Sequence, residues 1–368
     1  EVLLAGGVRP DFEFQGADAL TTLDYIHRCA GNADIFFVAN RSNRWEDVRC
    51  SFRVSGKTPE VWLPDSGRIR TAAAWEDGNG QTTLPLRLEP CGSLFVIFRT
   101  TADAADRQRV VSVTRDGQPI VAVASAPALE RGSDAGPQPG AAHDQTAPIR
   151  RDDAVELWRE GDALRLSASG PAGRYAVRRA DGRIETLSIP AVPAPRALDA
   201  GWVLHAPPRE LLSSGTRPLQ LDALRSWTSF EEPLVKYHAG TLEYTLQFEV
   251  GEDWLDDRTR VFLELGQVRE LAEIVLNGRN LGVVWKPPFG VEATGALRKG
   301  QNVLVVRVTN FWPNRIIGEH SMPPDQRWTR TNIRKLTQDT PLMESGLLGP
   351  VRLSAATQAQ IARSSQED

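Results

Sequence analysis

Three tryptophans in loop-like segments could stack on a flat apolar ligand. Trp285 lies in VVWKPPF, Trp312 in NFWPNR and Trp328 in QRWTRTN. The apolar C–H faces of sugar rings stack on indole rings, so these residues are candidates for binding a carbohydrate. The alternative is that they pack under the loops and close the fold. Both interpretations stand for Trp285, whereas the proline that follows Trp312 favours packing there.

Polar residues beside these tryptophans could form hydrogen bonds with the hydroxyl groups of the same ligand. Lys286 follows the first tryptophan, and Asn314 and Arg315 follow the second. Ammonium, amide and guanidinium groups all donate hydrogen bonds, and the guanidinium presents its donors in a fixed fork. Arg315 has a second interpretation, in which it anchors the backbone carbonyls of an ordered loop.

His27 and Arg28 precede the first strand that the hydrophobic pattern defines clearly. A neutral imidazole beside a guanidinium offers directional hydrogen bonds to sugar hydroxyls, so the pair could lie at the rim of an active site. The alternative is a structural histidine whose arginine forms an ion pair. The five histidines are dispersed, without the H-x-x-x-H or Cys–His spacing typical of zinc sites, and no metal site is predicted.

Glycoside hydrolysis needs two carboxyl groups about 5–9.5 Å apart on opposite sides of one bond. The chain has 47 Asp and Glu residues, so accidental candidates are expected. Four of them lie on alternating strands, where a solvated face is the expected explanation: Glu243, Glu249, Glu264 and Glu273. Glu319 and Glu344 lie in loops near Trp and Arg and are better candidates. No pair is assigned, and the catalytic residues stay unknown.

Composition excludes several classes of function. The chain has 368 residues, a net charge of −4 and scattered Lys and Arg, so neither a nucleic acid nor an anionic membrane is expected as a partner. No apolar run is long enough to cross a bilayer. Cys29, Cys50 and Cys91 could form one disulfide or remain three free thiols.

Short alternating strands and turn signals predict an all-β fold without a complete (β/α)8 barrel. Residues 34–123 are predicted to form an antiparallel β-sandwich and residues 151–197 a small β-hairpin region. The Ala-, Pro- and Gly-rich segment 124–150 is predicted to be a linker. Residues 198–355 contain the strongest hairpin signal, Asn277-Gly278, and are predicted to form a jelly roll. Residues 356–368 are predicted to be a disordered tail.

The region of residues 198–355 resembles known sugar-binding domains. Its strand GTLEYTLQFEV, hairpin AEIVLNGRNLGV, loop WKPPF and closing segment SGLLGPVRL are similar to the galactose-binding-like jelly roll of glycoside hydrolases, including family 2. More narrowly, TNFWPNRIIGE and SGLLGPV resemble the C-terminal region of the α-L-rhamnosidases of glycoside hydrolase family 106. LDYIHRCAGNADIFFVAN and SLFVIFR resemble the segment that follows or closes the catalytic barrel of these enzymes.

This resemblance implies hydrolysis of terminal rhamnose by a longer enzyme. Its acid and base carboxylates, and a calcium ion that helps to hold the sugar, would lie on an upstream barrel, and residues 1–33 would be the tail of that region. The start on EVLLAGGVRPDF, without Met or a signal peptide, fits a piece of a longer chain. We therefore expect an accessory portion without a cofactor of its own. Its partners would be carbohydrate and the upstream catalytic domain, in the periplasm or outside the cell. The alternative is a free-standing carbohydrate-binding or structural β-protein.

Overall fold

The computed structural model describes residues 7, 9–16, 19–101, 109–122, 155–160, 163–205, 218–320, 322–332 and 335–361. The chain divides into two compact units, one of residues 1–192 and 356–368 and the other of residues 193–355. Within the described ranges the named strands pair antiparallel in open sheets, which confirms the predicted all-β class. The predicted linker, 124–150, lies outside these ranges. None of the helices within them has the length and apolar character that a membrane crossing needs.

In its described residues, the first unit contains fifteen complete strands and the end of the last one. They are β1 Phe12–Gln15, β2 Leu23–Ala30, β3 Ala33–Asn40, β4 Glu46–Phe52, β5 Lys57–Leu63, β6 Arg68–Ala72, β7 Glu76–Gly78, β8 Gln81–Leu88, β9 Ser93–Thr101, β10 Val110–Arg115, β11 Gln118–Ala122, β12 Val155–Glu160, β13 Ala163–Ala168, β14 Gly173–Arg179 and β15 Ile184–Ile189. The strand orders are β1-β4-β8-β7, β2-β3-β9-β5-β6-β12-β13 and β11-β10-β14-β15.

Two apolar cores hold the first unit together. Alternate residues of β4 and β8 are buried, as expected for strands with one face in a core. Phe36 and Phe52 lie in this core with their ring centroids 4.8 Å apart. A second core contains Val113 from β10, Leu166 from β13 and Tyr175 from β14.

The described part of the second unit contains eleven complete strands, and a twelfth begins there. They are β16 Arg196–Ala197, β17 Trp202–His205, β18 Leu219–Leu221, β19 Thr241–Val250, β20 Thr259–Glu264, β21 Gln267–Arg269, β22 Leu271–Leu276, β23 Arg279–Val284, β24 Gly290–Glu292, β25 Gly300–Thr309 and β26 Gly346–Gly349, with β27 at Arg352–Ile361. Its main sheet has the order β18-β17-β19-β25-β22-β23. The described residues also include the α-helices α1 Pro233–Lys236 and α2 Pro313–Glu319, with 3₁₀ turns at Trp227–Ser229, Glu252–Trp254 and Pro324–Gln326.

The Asn277-Gly278 turn that the sequence predicts is confirmed. β22 and β23 form a hairpin around Asn277 and Gly278, whose φ angles of 52° and 81° are those that a two-residue turn of this hand requires. Asp116 and Gly117 play the same part between β10 and β11. The three cysteines are free thiols.

The structure differs from the sequence prediction at both ends of the chain. Residues 1–33 were predicted to be the tail of an upstream region, but β1 and β2 lie there and pair with β4 and β3 of the first unit. β27 continues to Ile361 and pairs with β13, so the first residues of the predicted disordered tail form a strand. Residues 362–368 lie outside the described ranges.

Tyr244 on β19 joins separate segments of the second unit through its buried hydroxyl. The indole Nε1 of Trp227 donates a hydrogen bond to this oxygen at 2.5 Å, and the backbone N–H of Leu347 donates another at 3.1 Å. Burial raises the pKa of Tyr244 to about 12, although both hydrogen bonds oppose the shift. The hydroxyl therefore stays protonated and holds the 3₁₀ turn and β26 against β19.

The side chain of Trp227 leaves no room at Gly346. A Cβ atom on this glycine would lie 2.4 Å from Trp227 Nε1 and 2.7 Å from the Tyr244 hydroxyl, and its φ is 102°. A glycine is needed here both for the close approach and for the backbone conformation.

His238 lies in the same buried region, where its ring meets Trp227 edge to face at 5.5 Å. Burial and the positive charge of Arg315 lower the pKa of His238 to about 4, against a smaller opposing effect of backbone hydrogen bonds. The folded protein therefore holds a neutral imidazole, whereas the unfolded chain binds a proton near pH 6.5.

We expect Gly346→Ala to destabilise the second unit by about 3 kcal/mol or more, because both the overlap with Trp227 and the positive φ are unfavourable. Gly278→Ala is the matched control, since Gly278 also has a positive φ but has open space around it. It should cost only about 1 kcal/mol. Urea unfolding of the full chain measures both, and equal losses would contradict the role assigned to Trp227.

The stability of the second unit should fall as the pH drops from 6.5 to 4. In this range the unfolded chain binds a proton at residue 238 that the folded chain does not, so the free energy of unfolding rises with pH. The expected difference is about 3 kcal/mol. His238→Gln should remove this part of the pH dependence, and His205→Gln should keep it. Urea midpoints at four pH values provide the measurement, and an unchanged slope in His238→Gln would refute the assignment.

Candidate functional site

The register of the main sheet in the second unit brings several predicted residues to one end. Leu271 opposes Thr309, and Ala272 opposes Val284. The first residue of β22 and the last residues of β23 and β25 therefore lie side by side. Trp285 and the segment 310–312 leave the sheet at this end.

Four exposed aromatic side chains belong to this region, which we call the aromatic end. It consists of Trp285, Phe311, Trp312 and Trp328, with exposed fractions of 65%, 55%, 64% and 53%. The sequence favoured a packing role for Trp312, but the structure leaves most of its side chain in solvent. None of the four is a core residue, and each exposes more than half of its side chain to solvent.

A shallow depression lies beside the aromatic end. The residues that line it are Glu270, Asn310, Phe311, Pro313, Asn314, Met343, Glu344 and Ser345. Burial raises the pKa of Glu270, and the positive charge of Arg269 opposes the shift. Glu344 forms an ion pair with Arg269 at 3.3 Å. The depression therefore combines an exposed aromatic ring with two carboxyl groups in different environments.

The side chain of Asn314 is used to hold this region together. It is buried, and its Nδ2 donates to the carbonyl of Met343 at 2.7 Å and to Ser345 Oγ at 3.0 Å. Its Oδ1 accepts from the backbone N–H of Met343. Asn310 donates to the same Ser345 Oγ and to the carbonyl of His238. With these bonds made, Asn314 is a positioning residue and not a ligand donor.

Arg315 is also structural, although its partner is a carboxylate and not the backbone carbonyls considered from the sequence. Its Nε donates to Glu319 Oε1 at 2.5 Å, and its guanidinium lies 4.8 Å from the ring centroid of Trp328. Glu319 also accepts from the backbone and hydroxyl of Thr329. Burial would raise the pKa of Glu319, but these bonds and Arg315 outweigh it and lower the pKa. An anchored carboxylate of this kind is a poor general acid.

Lys286 and Trp285 leave the sheet together but differ in orientation. Trp285 is largely exposed, whereas Lys286 is partly buried and its Nζ donates to the carbonyl of Pro287 at 3.4 Å. The ammonium group is thus directed toward its own loop. Of the two, the tryptophan is the better placed to meet a ligand.

Three of the strand glutamates form ion pairs with arginines of other strands. Glu243 and Glu273 both bind Arg307, at 2.8 and 3.0 Å. Glu264 was predicted to lie on a solvated face, but it is buried and accepts from Arg352 at 2.6 Å and from Ser354 at 2.5 Å. The partners of Glu264 are about 90 residues away, so the local pattern held no sign of them.

In the first unit, His27 and Arg28 lie within β2 and not before the first strand. The ring of His27 stacks on Phe36 at 4.1 Å, and its two nitrogens contact Asp11 and Asp34 at 3.4 and 3.3 Å. Its partners are thus carboxylates, while Arg28 is exposed. Cys29 lies on the same side of β2 as His27, although the sequence has no H-x-x-x-H or Cys–His spacing typical of zinc sites that would predict this pair.

Comparisons with known proteins find similarity to glycoside hydrolases that carry different names. Residues 1–76 match the model of glycoside hydrolase family 106, described as alpha-L-rhamnosidase. The solved structure of a rhamnosidase from Novosphingobium sp. PP1Y has a TM-score of 0.63 and 27% identity, and the alignment covers 96% of this chain and 26% of that chain. A protein from Formosa agariphila named "Putative beta-glucuronidase" is 22% identical over an alignment of 527 residues including gaps. This alignment covers 98% of this chain and 45% of the relative.

This chain thus spans less than half the length of either relative. The matched family model falls on the part of the chain that contains β1 to β6, and the structural likeness extends over nearly all of it. The resemblance drawn from the sequence is confirmed, and the chain is related to the α-L-rhamnosidases of glycoside hydrolase family 106.

Proposed function

We propose that this chain is the C-terminal accessory portion of an α-L-rhamnosidase-like glycoside hydrolase. Its second unit would be a galactose-binding-like jelly roll that presents the aromatic end to the substrate or to the upstream catalytic domain. The parent enzyme would hydrolyse terminal rhamnose in the periplasm or outside the cell. The observation that carries the proposal is the exposure of the four aromatic side chains of the aromatic end, where the segment with Phe311 and Trp312 is held by buried hydrogen bonds.

Exposure of this kind needs an explanation, because large aromatic rings in water are unfavourable unless a partner covers them. The loop after β23 contains Pro287 and Pro288, which restrict the backbone, so little entropy is lost when Trp285 meets a ligand. Indole rings suit the C–H faces of sugars. These properties support recognition of a carbohydrate or of a neighbouring domain.

The carboxylates of the described residues support an accessory role and not a catalytic one. Glu243, Glu264, Glu273 and Glu319 are each bound to an arginine. A glycosidase needs one carboxyl group that donates a proton and another that stays ionised. Glu270 has the raised pKa of a donor, but it lies in a shallow depression that would enclose little of a sugar.

A free-standing carbohydrate-binding protein is the second candidate function. The exposed Trp285 supports it too, because the same ring could bind a glycan without any catalytic domain. Binding of the isolated chain to an array of rhamnose-containing glycans separates the two. Retention that depends on Trp285, and that is no weaker for the isolated chain than for the enzyme with its upstream domain, favours this candidate. No retention by the isolated chain favours the accessory role.

The isolated chain should not hydrolyse aryl rhamnosides, because we place the catalytic carboxylates in the upstream domain. Release of nitrophenol from the aryl rhamnoside by purified protein is the measurement. Glu270→Gln is the decisive control. Turnover by the native chain that disappears in this variant would overturn the assignment of an accessory role.

Trp285→Ala should change the stability of the chain by no more than about 0.5 kcal/mol, because the ring is mainly in solvent. Trp254→Ala is the matched control, since Trp254 is buried in the same unit. It should cost about 3–5 kcal/mol. In the enzyme that includes the upstream domain, Trp285→Ala should lower kcat/KM or weaken domain docking. Full activity and full docking of the Trp285→Ala enzyme would contradict a functional role for Trp285.

A further inference from the structure

We infer that His27, Cys29 and Asp34 form a binding site for a single Zn²⁺ ion on the β2–β3 hairpin. This inference is independent of the proposed function and concerns the first unit alone. The potential ligand atoms are His27 Nε2, Cys29 Sγ and Asp34 Oδ1, and they lie within 4.8 Å of one another.

The hairpin itself brings these residues together. In the β2–β3 register Cys29 opposes Asp34, and His27 opposes Phe36. Residues two apart on a strand point to the same face, so His27 and Cys29 project side by side. Asp34 completes the group from the neighbouring strand.

The separations of the ligand atoms match one face of a tetrahedral zinc site. Nε2 and Oδ1 are 3.3 Å apart, Sγ and Nε2 3.7 Å, and Sγ and Oδ1 3.6 Å. Standard zinc bond lengths and tetrahedral angles give about 3.3 Å between nitrogen and oxygen and about 3.5–3.6 Å from sulfur to either. A cation could therefore be placed with little movement of the side chains.

The groups behind these atoms hold them in the orientation that a metal requires. Asp11 Oδ2 lies 3.4 Å from His27 Nδ1, so a proton on Nδ1 leaves the Nε2 lone pair toward the metal. Such carboxylate–histidine pairs are typical of zinc sites. Lys57 Nζ donates to Asp34 Oδ2 at 2.8 Å, which leaves Oδ1 on the side of the site. Asp11 is fixed in turn by Arg53.

The ligand chemistry selects the metal. One imidazole nitrogen, one thiolate and one carboxylate are a mixed set that suits the borderline ion Zn²⁺, whereas Ca²⁺ and Mg²⁺ prefer oxygen ligands alone. Cys29 is exposed, so water can reach the fourth position. Binding would release the thiol proton as the Zn–S bond forms.

The experiment uses the full chain, free of affinity tags and chelators. Zn²⁺ binding is measured by calorimetry, and Co²⁺ replaces Zn²⁺ as a spectroscopic probe because a Co²⁺–thiolate bond gives a charge-transfer band. We expect one Zn²⁺ per chain and a Co²⁺–thiolate band. Zn²⁺ should also slow the alkylation of Cys29 by maleimide.

Variants distinguish a built site from adventitious binding. Cys29→Ser should abolish the Co²⁺–thiolate band, and Cys29→Ser and His27→Gln should each weaken Zn²⁺ binding at least tenfold. Asp11→Asn should weaken it about 10–100-fold and keep the band, because the thiolate remains. Cys91→Ser is the matched control, since Cys91 is the other exposed thiol, and it should bind like the native chain.

The inference fails in either of two cases. One is a native chain that takes up less than one Zn²⁺ at micromolar concentrations, which would make the cluster a hydrogen-bonded group only. The other is Zn²⁺ affinity unchanged in both Cys29→Ser and His27→Gln. Unfolding midpoints of the metal-free variants check that each is folded, and Asp11→Asn tests the site with all three ligands intact.

Discussion

The Tyr244 hydroxyl, buried between Trp227 and the backbone of β26, is the constraint on which the second unit depends. One oxygen receives hydrogen bonds from an indole and from the backbone of Leu347, so three segments distant in sequence share a single polar atom. A buried hydroxyl left without such partners would destabilise the fold. The packing of each of the three segments therefore depends on the other two. Gly346 makes this possible because any side chain there would overlap Trp227.

This buried network also holds the part of the aromatic end that contains Phe311 and Trp312. The segment 343–347 is held by Tyr244, and it holds Asn310 and Asn314 in turn through Ser345. The loop between β25 and α2 is thereby fixed by polar bonds beneath it, and its aromatic side chains do not have to supply the packing. Phe311 and Trp312 are thus free to face solvent without loss of order in the loop.

Local features of the fold could be predicted from the sequence, and long-range ones could not. The Asn277-Gly278 turn and the alternation of β19 depend on neighbours a few residues away, and both were predictable. β2 was missed because it is mostly exposed on both faces and lacks apolar alternation. Without β2, the pairing with β3 that brings Asp34 close to His27 and Cys29 could not be predicted. The burial of Glu264 was equally hidden, because its partners come from β27.

The position of β2 also bears on how separate copies of this chain behave. β2 is an edge strand, because within the described part of the chain it pairs with β3 alone. Such a strand leaves backbone groups that another molecule can extend into a larger sheet. Asp24 and Arg28 lie along it and oppose this association, because joining two edges would bury their charges. Tyr25 and Ile26 are exposed on the same strand and favour it. Whether copies associate through this edge therefore depends on the balance between the charged Asp24 and Arg28 and the apolar Tyr25 and Ile26.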